Sequence, residues 1–484
     1  MEKKKRATII SILLICLLAM AGSSALVISL VNAMTKETGG EEKRVVTAET
    51  FSAWTDVEEF QTIPAMSGEN IKISEADDYG EGNYLIGVDG ATKEEYFAYL
   101  ETLTNAGFEK HSDNGKDAME GHALTAAFQK DNLTVVVSYA IPWEKMYITA
   151  AYDLALSDHM IYKDEYVEGV SADAETKIHM VELNDIGACF IIQLKNGHFV
   201  VHDGGSAVDT QYFIDYMKEL VPGDEKPVIE AWFISHAHED HYGVINEINS
   251  NPKYADMFYV NGVYYHTPSS KLFEHSYDAN PKMDVYVTSR SHAMLKAEDG
   301  SKTKFYRPQL GQRYYFCDTY IDVAMTPEQY APESFYLTTT KIDMNDCSIW
   351  LMHHIEDQRM LVGGDSFHTG IRAMMNMYEE SYFTMEIFVI LHHGVNVYKY
   401  FTDYTTLKTV LFPNFRVGSV WEPSKADLAR VEDNEYLKKA AAECISCENG
   451  TVVITFPYNM GEAEILGTRE WIYNGGRTYK PHEG

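Results

Sequence analysis

Cysteine is scarce: six in 484 residues is no disulfide framework for so long a chain. Cys16 falls in an apolar stretch, and Cys189, Cys317, Cys347, Cys444 and Cys447 are scattered behind it. Cys444 and Cys447 form a lone C-x₂-C, which without a second pair makes a weak zinc motif and reads as a local disulfide or two free thiols. Basic charge is scarce too. Forty Lys and Arg against 72 Asp and Glu leave a formal net charge of −32. So acidic a chain has no general phosphate-binding face, which argues against tight nucleic-acid binding and against attraction of its soluble part to anionic lipid. Internal repeats and low-complexity tracts are absent. What is present is apolar content of 45%, enough for two to three domains with real cores.

The N-terminus carries its own signal. Lys3-Lys4-Lys5-Arg6 precedes a mostly apolar stretch from Ala7 to Met34. At ~1.5 Å per residue that stretch exceeds a ~30 Å hydrocarbon core, and it is longer than the ~7–15-residue apolar region of a cleaved signal. The basic flank (1–6) stays cytoplasmic by the positive-inside rule, so residues 7–34 read as a single-pass signal-anchor with the bulk of the chain extracytoplasmic at the cell membrane. The small residues Ala21-Gly22-Ser23-Ser24-Ala25 keep a long cleavable signal open as the alternative.

After a polar linker (35–50), a small α+β domain is expected over 51–165. Thr92-Lys93-Glu94-Glu95 is a capping box, with Tyr96, Tyr99, Leu100 and Leu103 following on one helical face and Gly107 as the stop. Ala123–Lys130, Leu133–Ile141 and Met146–Tyr152 alternate as an antiparallel meander. No catalytic constellation lies there, and its role is unreadable.

The chemistry is concentrated in His236-Ala237-His238-Glu239-Asp240-His241, directly after the apolar run Val228–Ser235. The run reads as a buried strand, so its end delivers four metal-ligand side chains into one loop. His236 and His238, two apart, fall on one side of an extended chain, and Asp240 and His241 approach from the following turn. A chain of this composition is expected to hold about 0.004 such clusters by chance. Imidazole and carboxylate donors suit zinc, with manganese and iron as competitors.

With these residues in view, the chain resembles the metallo-β-lactamase-fold hydrolases. Cys189–Leu194 followed by Gly197–Gly205, which ends in Asp203-Gly204-Gly205, is similar to the family's first hairpin. Ser348–Met352 and Arg359–Ser366, with Gly364-Asp365, are similar to a later hairpin whose aspartate bridges two metals. Ile387–Leu391 running into His392-His393-Gly394 resembles the closing His-His-Gly, whose second histidine is usually the ligand. Asn449–Phe456 reads as a turn into a last strand. The order matches from about residue 176 to 460. The nearest look is the competence-type group of DNA-uptake hydrolase domains and surface choline-phosphate esterases, from Asn345-Asp346-Cys347-Ser348 before the later hairpin.

The resemblance implies an α+β chain in which an αββα metallo-β-lactamase sandwich (176–484) is preceded by the small domain and the transmembrane helix. It implies two zinc ions, one held by His236 and His238, the other by Asp240, His241 and His393, with Asp365 between them. Asp240 would also orient the attacking water or take its proton, and Asp203 would hold a ligand histidine in its tautomer. Many members place a histidine near Asn345; here there is none, which leaves the first site a ligand short. Solvent, substrate or another histidine could fill it: His266 and His292 are distant candidates and His368, three residues after Asp365, a nearer one, each more simply a hydrogen-bonded or surface histidine, and His353-His354 reads as strand surface. The expected function is a membrane-anchored, extracytoplasmic metal-dependent hydrolase acting on a phosphoester of a small molecule or cell-envelope component. The alternatives are a non-catalytic binding protein on the same fold and a nuclease linked to DNA uptake, the latter opposed by the charge.

Overall fold

The computed structural model describes residues 46–47, 58–68, 70–80, 83–115, 118–164, 170, 174–183, 187–266, 294–329, 344–394, 399–413, 439–467, 471–473 and 477–479. The basic flank, the expected membrane helix with Cys16, most of the linker and His292 lie outside these residues. Among the described residues no helix is long and apolar enough to cross a membrane.

The first sheet contains β1 (Lys72–Gly80), β2 (Asn83–Asp89), β3 (Glu109–Asp113), β4 (Ala123–Lys130), β5 (Leu133–Ala140) and β6 (Lys145–Tyr152), in the spatial order β1-β2-β6-β5-β4-β3 and antiparallel throughout. Helix α1 (Lys93–Asn105) lies between β2 and β3 in sequence. Its capping box is formed: Glu95 N–H donates to Thr92 Oγ1 at 3.1 Å and Thr92 N–H to Glu95 Oε2 at 2.8 Å. Tyr96, Tyr99 and Leu103 of α1 are buried against Val88, Val135, Val137 and Ile148. Each such side chain contributes about 1.5–3 kcal/mol by leaving water. Every residue of β5 is buried, so both faces of this sheet are covered. Val135 and Val137 face α1, whereas Val136 joins the core of the larger part of the chain.

That larger part is two facing sheets. One holds β7 (Lys177–Met180), β8 (Cys189–Gln193), β9 (Phe199–Asp203), β10 (Val228–Ile234), β11 (Gly262–Tyr265) and β12 (Lys304–Tyr306). Strands β7, β8 and β9 pair antiparallel, and β9 to β12 run parallel. The other sheet runs in chain order through β13 (Arg313–Phe316), β14 (Thr319–Met325), β15 (Trp350–Ile355), β16 (Gln358–Val362), β17 (Thr384–Val389), β18 (Thr406–Phe412) and β19 (Glu443–Ser446), parallel from β16 onward. Strand β20 (Val452–Thr455) returns to pair with β7.

Phe190, Ile192, Val200 and Phe233 of one sheet meet Val323, Leu351, Ile387 and Leu411 of the other in a single core. On the outer face of the first sheet, α2 (Thr210–Glu219) and α3 (Glu239–Ser250) insert Phe213, Met217, Val244 and Ile248 against Ile191, Val201 and Trp232. On the outer face of the second, α4 (His368–Met377) and α5 (Lys399–Tyr404) insert Ile371, Met374 and Phe401 against Met352, Leu361 and Phe388. Alternating strand faces thus give four layers, αββα, the arrangement the resemblance implied.

One expectation is corrected here, and one open alternative is decided. His353 is not strand surface: it is fully buried and meets the ring of His202 edge-on at 4.5 Å, while His202 stacks on Phe233. Period-two alternation on β15 sends His353 inward, and its neighbour His354 turns outward to Asp322 (3.2 Å). Cys444 and Cys447 are both free thiols. Cys444 packs with the outer core of the second sheet and Cys447 with the inner core, so no bridge joins them.

Candidate metal centre

Parallel strands end together, and here their ends carry the polar residues. Asp203 closes β9, and Ser235 and His236 follow β10. Asp365 follows β16, and His392 and His393 follow β17. A crevice outside the carboxyl ends of parallel strands is where such sheets can place ligands. His238 is the N-cap residue of α3, with Asp240 and His241 in its first turn.

Close backbone contact holds the two strand ends together. A Cβ on Gly364 would lie 2.8 Å from Ser235 Cβ and 2.8 Å from Ser348 Oγ, and its φ is +52°. Only glycine fits that crossing. The next residue, Asp365, donates its N–H to Ser348 Oγ at 3.1 Å.

Asp365 Oδ2 is the centre of the arrangement. The Nε2 atoms of His241 and His393 are each 3.2 Å from it, that of His392 is 3.7 Å away and that of His236 3.9 Å. Asp240 Oδ2 is 3.2 Å from His393 Nε2 and 3.6 Å from His241 Nε2. Ligand atoms of Asp240, His241, Asp365 and His393 all lie within 4.8 Å of one another. Metal bonds of ~2.0–2.2 Å in a tetrahedral shell put ligand atoms roughly 3.3–3.6 Å apart, close to these spacings. His236 Nε2 also lies 3.0 Å from His238 Nδ1. All six residues expected as ligands are therefore brought together, through Asp365 and His236.

Behind the ligands sits Asp203, itself at φ +55°. Its Oδ1 accepts Ser235 N–H at 2.7 Å, and its Oδ2 accepts Ser235 Oγ–H and His241 Nδ1–H, both at 2.9 Å. Ser235 Oγ in turn lies 3.0 Å from His236 Nδ1. With Nδ1 of each ring protonated toward this network, the Nε2 lone pairs of His236 and His241 point at Asp365. Ser235 and Ser348 are site residues that sequence reasoning missed. Ser235 adjoins the histidine motif, but nothing in the sequence showed which way its hydroxyl faces.

The electrostatics favour a cation. Burial works against the Asp365 carboxylate, yet His241 and His393 hold it well below the usual carboxylate range. Burial likewise opposes charge on His393, but Asp365 and Asp240 push its pKa up to about 9; His241 is raised by the same pair and by Asp203. Two imidazoles that retain protons in a buried setting report a strongly negative potential at their Nε2 atoms. Those two Nε2 atoms are buried and meet the carboxylate oxygens at 3.2–3.6 Å without hydrogen-bond geometry. Orphaned nitrogens between two carboxylates fit a divalent cation, and the donor set suits zinc, manganese or iron. His236 and His392, by contrast, are driven by burial toward the neutral form, His392 to about 4.

Of the other candidate histidines, His266 and His368 have partners of their own, and His292 lies outside the described residues. His266 is bound to Pro308 O and to Glu328, both at 2.6 Å, and His368 pairs with Tyr400 Oη at 2.8 Å. Asn345 and Asp346 are buried, and their segment reaches the centre through Ser348.

No family model matches the chain, and no curated protein matches it. Solved structures with a similar arrangement include Tm1679, described as a metal-dependent hydrolase of the beta-lactamase superfamily (12% identity, 57% of this chain and 97% of that one, TM-score 0.32). Zn(2+)-bound PqqB from Methylobacterium extorquens is also similar (8%, 45% and 72%, TM-score 0.29). So is BJP-1, a subclass B3 metallo-beta-lactamase of Bradyrhizobium japonicum (13%, 52% and 86%, TM-score 0.26).

Proposed function

We propose that this chain is a metal-dependent hydrolase that cleaves a phosphoester with a metal-activated water, anchored in the cell membrane by residues 7–34 with its bulk extracytoplasmic. The observation that carries the hydrolase reading is Asp365 Oδ2, one carboxylate oxygen faced by four imidazole nitrogens at 3.2–3.9 Å. When bound, zinc, manganese or iron supplies Lewis acidity that lowers the pKa of coordinated water from about 15.7 to about 7.

The residues divide the remaining work. His241, His393, Asp240 and Asp365 would hold one ion and His236 and His238 the other, with Asp365 shared. Asp203 and Ser235 fix the two rings that meet Asp365 from the first sheet. Asp240 has the most exposed side chain of its cluster, 27% against 6% or less for His241, Asp365 and His393. In this reading it faces incoming substrate, where its carboxylate would orient the attacking water or receive its proton. A shared pair of ions suits phosphoesters because it clamps both attacking and leaving oxygens.

The test is metal analysis of the chelator-free protein followed by a screen of phosphomonoesters, phosphodiesters and lactones. Metal-dependent phosphoester turnover that is lost in Asp365→Ala supports the reading. Bound metal without turnover of any ester would favour the binding-protein alternative, and metal-free protein after reconstitution would end the metal reading.

A further inference from the structure

The His236–His238 pair lacks a third nitrogen where Asn345 stands, and the structure offers one from the opposite sheet. We propose that His392 completes this set, so that one ion is held by His236, His238, His392 and Asp365. The proposal rests on the metal-centre reading above and extends it to a residue outside the expected ligands.

Three observations carry it. His392 Nε2 lies 3.7 Å from Asp365 Oδ2, a spacing matched by His236 Nε2 at 3.9 Å on the same oxygen. Ligands that share a bridging oxygen sit about one shell edge from it, and His392 and His236 both lie a few tenths of an ångström beyond that edge, the same distance class on the same oxygen. Secondly, His392 and His393 both adopt left-handed backbone, with φ of +48° and +52°. Successive residues of an extended strand would send their side chains to opposite faces, so one of the two rings would leave the centre. The left-handed pair instead brings both Nε2 atoms within 3.7 Å of a single carboxylate oxygen. Two adjacent non-glycine residues in that region are rare, and such strain persists where the surroundings enforce it. Thirdly, the two rings divide between the two sets. His393 Nε2 is 3.2 Å from Asp240 Oδ2 and so belongs with His241, while His392 Nε2 meets Asp365 Oδ2 at 3.7 Å. Its side chain is 20% exposed, the most open of the four around Asp365 Oδ2, so its ion would border the solvent from which substrate enters.

The experiment titrates metal-stripped full-length protein with zinc, and separately with cobalt as a spectroscopic reporter. Wild type is expected to take up two ions. His392→Asn, which tolerates left-handed backbone but is too short to reach the ion, is expected to keep one zinc and lose the second by more than the ~10–100-fold that removal of an outer-shell partner costs. The retained zinc shows that the variant is folded. His392→Glu, whose carboxylate oxygen reaches about as far as the imidazole Nε2, is expected to recover the second ion and to shift the cobalt d–d absorption. Two zinc ions bound to His392→Asn with wild-type affinity, or a glutamate variant whose cobalt spectrum is that of the wild type, would overturn the assignment of His392 and leave the metal centre standing. Wild type that binds no zinc would overturn the metal centre itself.

Discussion

Asp203 and His241, 38 residues apart in sequence, are joined by a 2.9 Å hydrogen bond from His241 Nδ1 to Asp203 Oδ2. The same oxygen accepts Ser235 Oγ–H, and Ser235 meets His236. One buried carboxylate thus orients a histidine from each of the two expected metal sets.

This connection predicts an order of effects. Asp203→Asn removes the charge that supports both rings, and zinc affinity should fall about 10–100-fold at both sites. Ser235→Ala removes the 3.0 Å partner of His236 Nδ1 and only a longer 3.3 Å contact of His241, which keeps its bond to Asp203, so it should weaken the His236 site more than the other. Chelator-competition titrations read both values; equal losses at both sites in Ser235→Ala would contradict the division.

Among the expected ligands, Asp365 touches both sets, and His238 meets His236 of the first. His238→Ala and Asp365→Ala should each abolish hydrolysis, and Asp365→Ala should also cost both ions. Far-ultraviolet circular dichroism should show the sheets retained. Unchanged turnover in both variants would remove the catalytic assignment.

Metal uptake should be coupled to protons. In the metal-free protein His393 is charged up to about pH 9, so its ion pair with Asp365 and Asp240 stabilises the fold fully below its unfolded pKa of ~6.5 and is lost as pH rises through 9. Zinc needs the neutral ring, so binding at pH 7 should release at least one proton, and affinity should fall about tenfold per pH unit on acidification. Calorimetry in buffers of different ionisation enthalpy measures the release. Zinc-loaded protein should lose the fall in thermal stability that metal-free protein shows between pH 7 and 9.5.

A second pH effect arises far from the ligands. His202 and His353 are buried between the sheets, and His202 Nε2 and both nitrogens of His353 lack hydrogen-bond partners. Burial lowers the pKa of His202 to about 3 and that of His353 well below the ordinary value. The unfolded chain binds these protons below pH ~6.5 and the folded chain does not, so stability is whole above 6.5 and falls toward pH 3 by about 1.4 kcal/mol per pH unit for each ring. His353→Leu should raise stability at pH 7 by about 1 kcal/mol, because an unpaired polar group leaves the core, and should reduce the acid slope. Urea titrations at pH 7 and pH 5 measure both; a destabilised variant with an unchanged slope would show the ring to be satisfied.

Much of this was legible in the sequence where one local rule decides the outcome. The run Val228–Ile234 is apolar and ends at a histidine cluster, so strand, turn and ligand loop follow from pattern alone. Thr92 and Glu95 announce a helix start because the two residues that make the cap are three apart. Period two failed to place His353, since histidine on a strand fits either face and the facing sheet decides. Ser235, Ser348 and His392 were out of reach for a different reason. Their roles depend on which oxygen or nitrogen a residue from the opposite sheet presents, and no spacing along the chain encodes that.

The small antiparallel sheet has a consequence for how the chain can be cut. Val136 and Ala127 belong to the core between the two larger sheets, and Leu85, Ala123, Ala140 and Tyr147 to the core beneath α4. Asn114 Nδ2 donates to Gly311 O at 2.7 Å, and Arg359 pairs with Glu120 at 2.6 Å. A protein begun at residue 176 would therefore bare a greasy flank that its natural neighbour covers, and would be expected to clump or unravel rather than work alone. The first sheet is thus part of the wall that keeps the larger cores dry, whatever else it does.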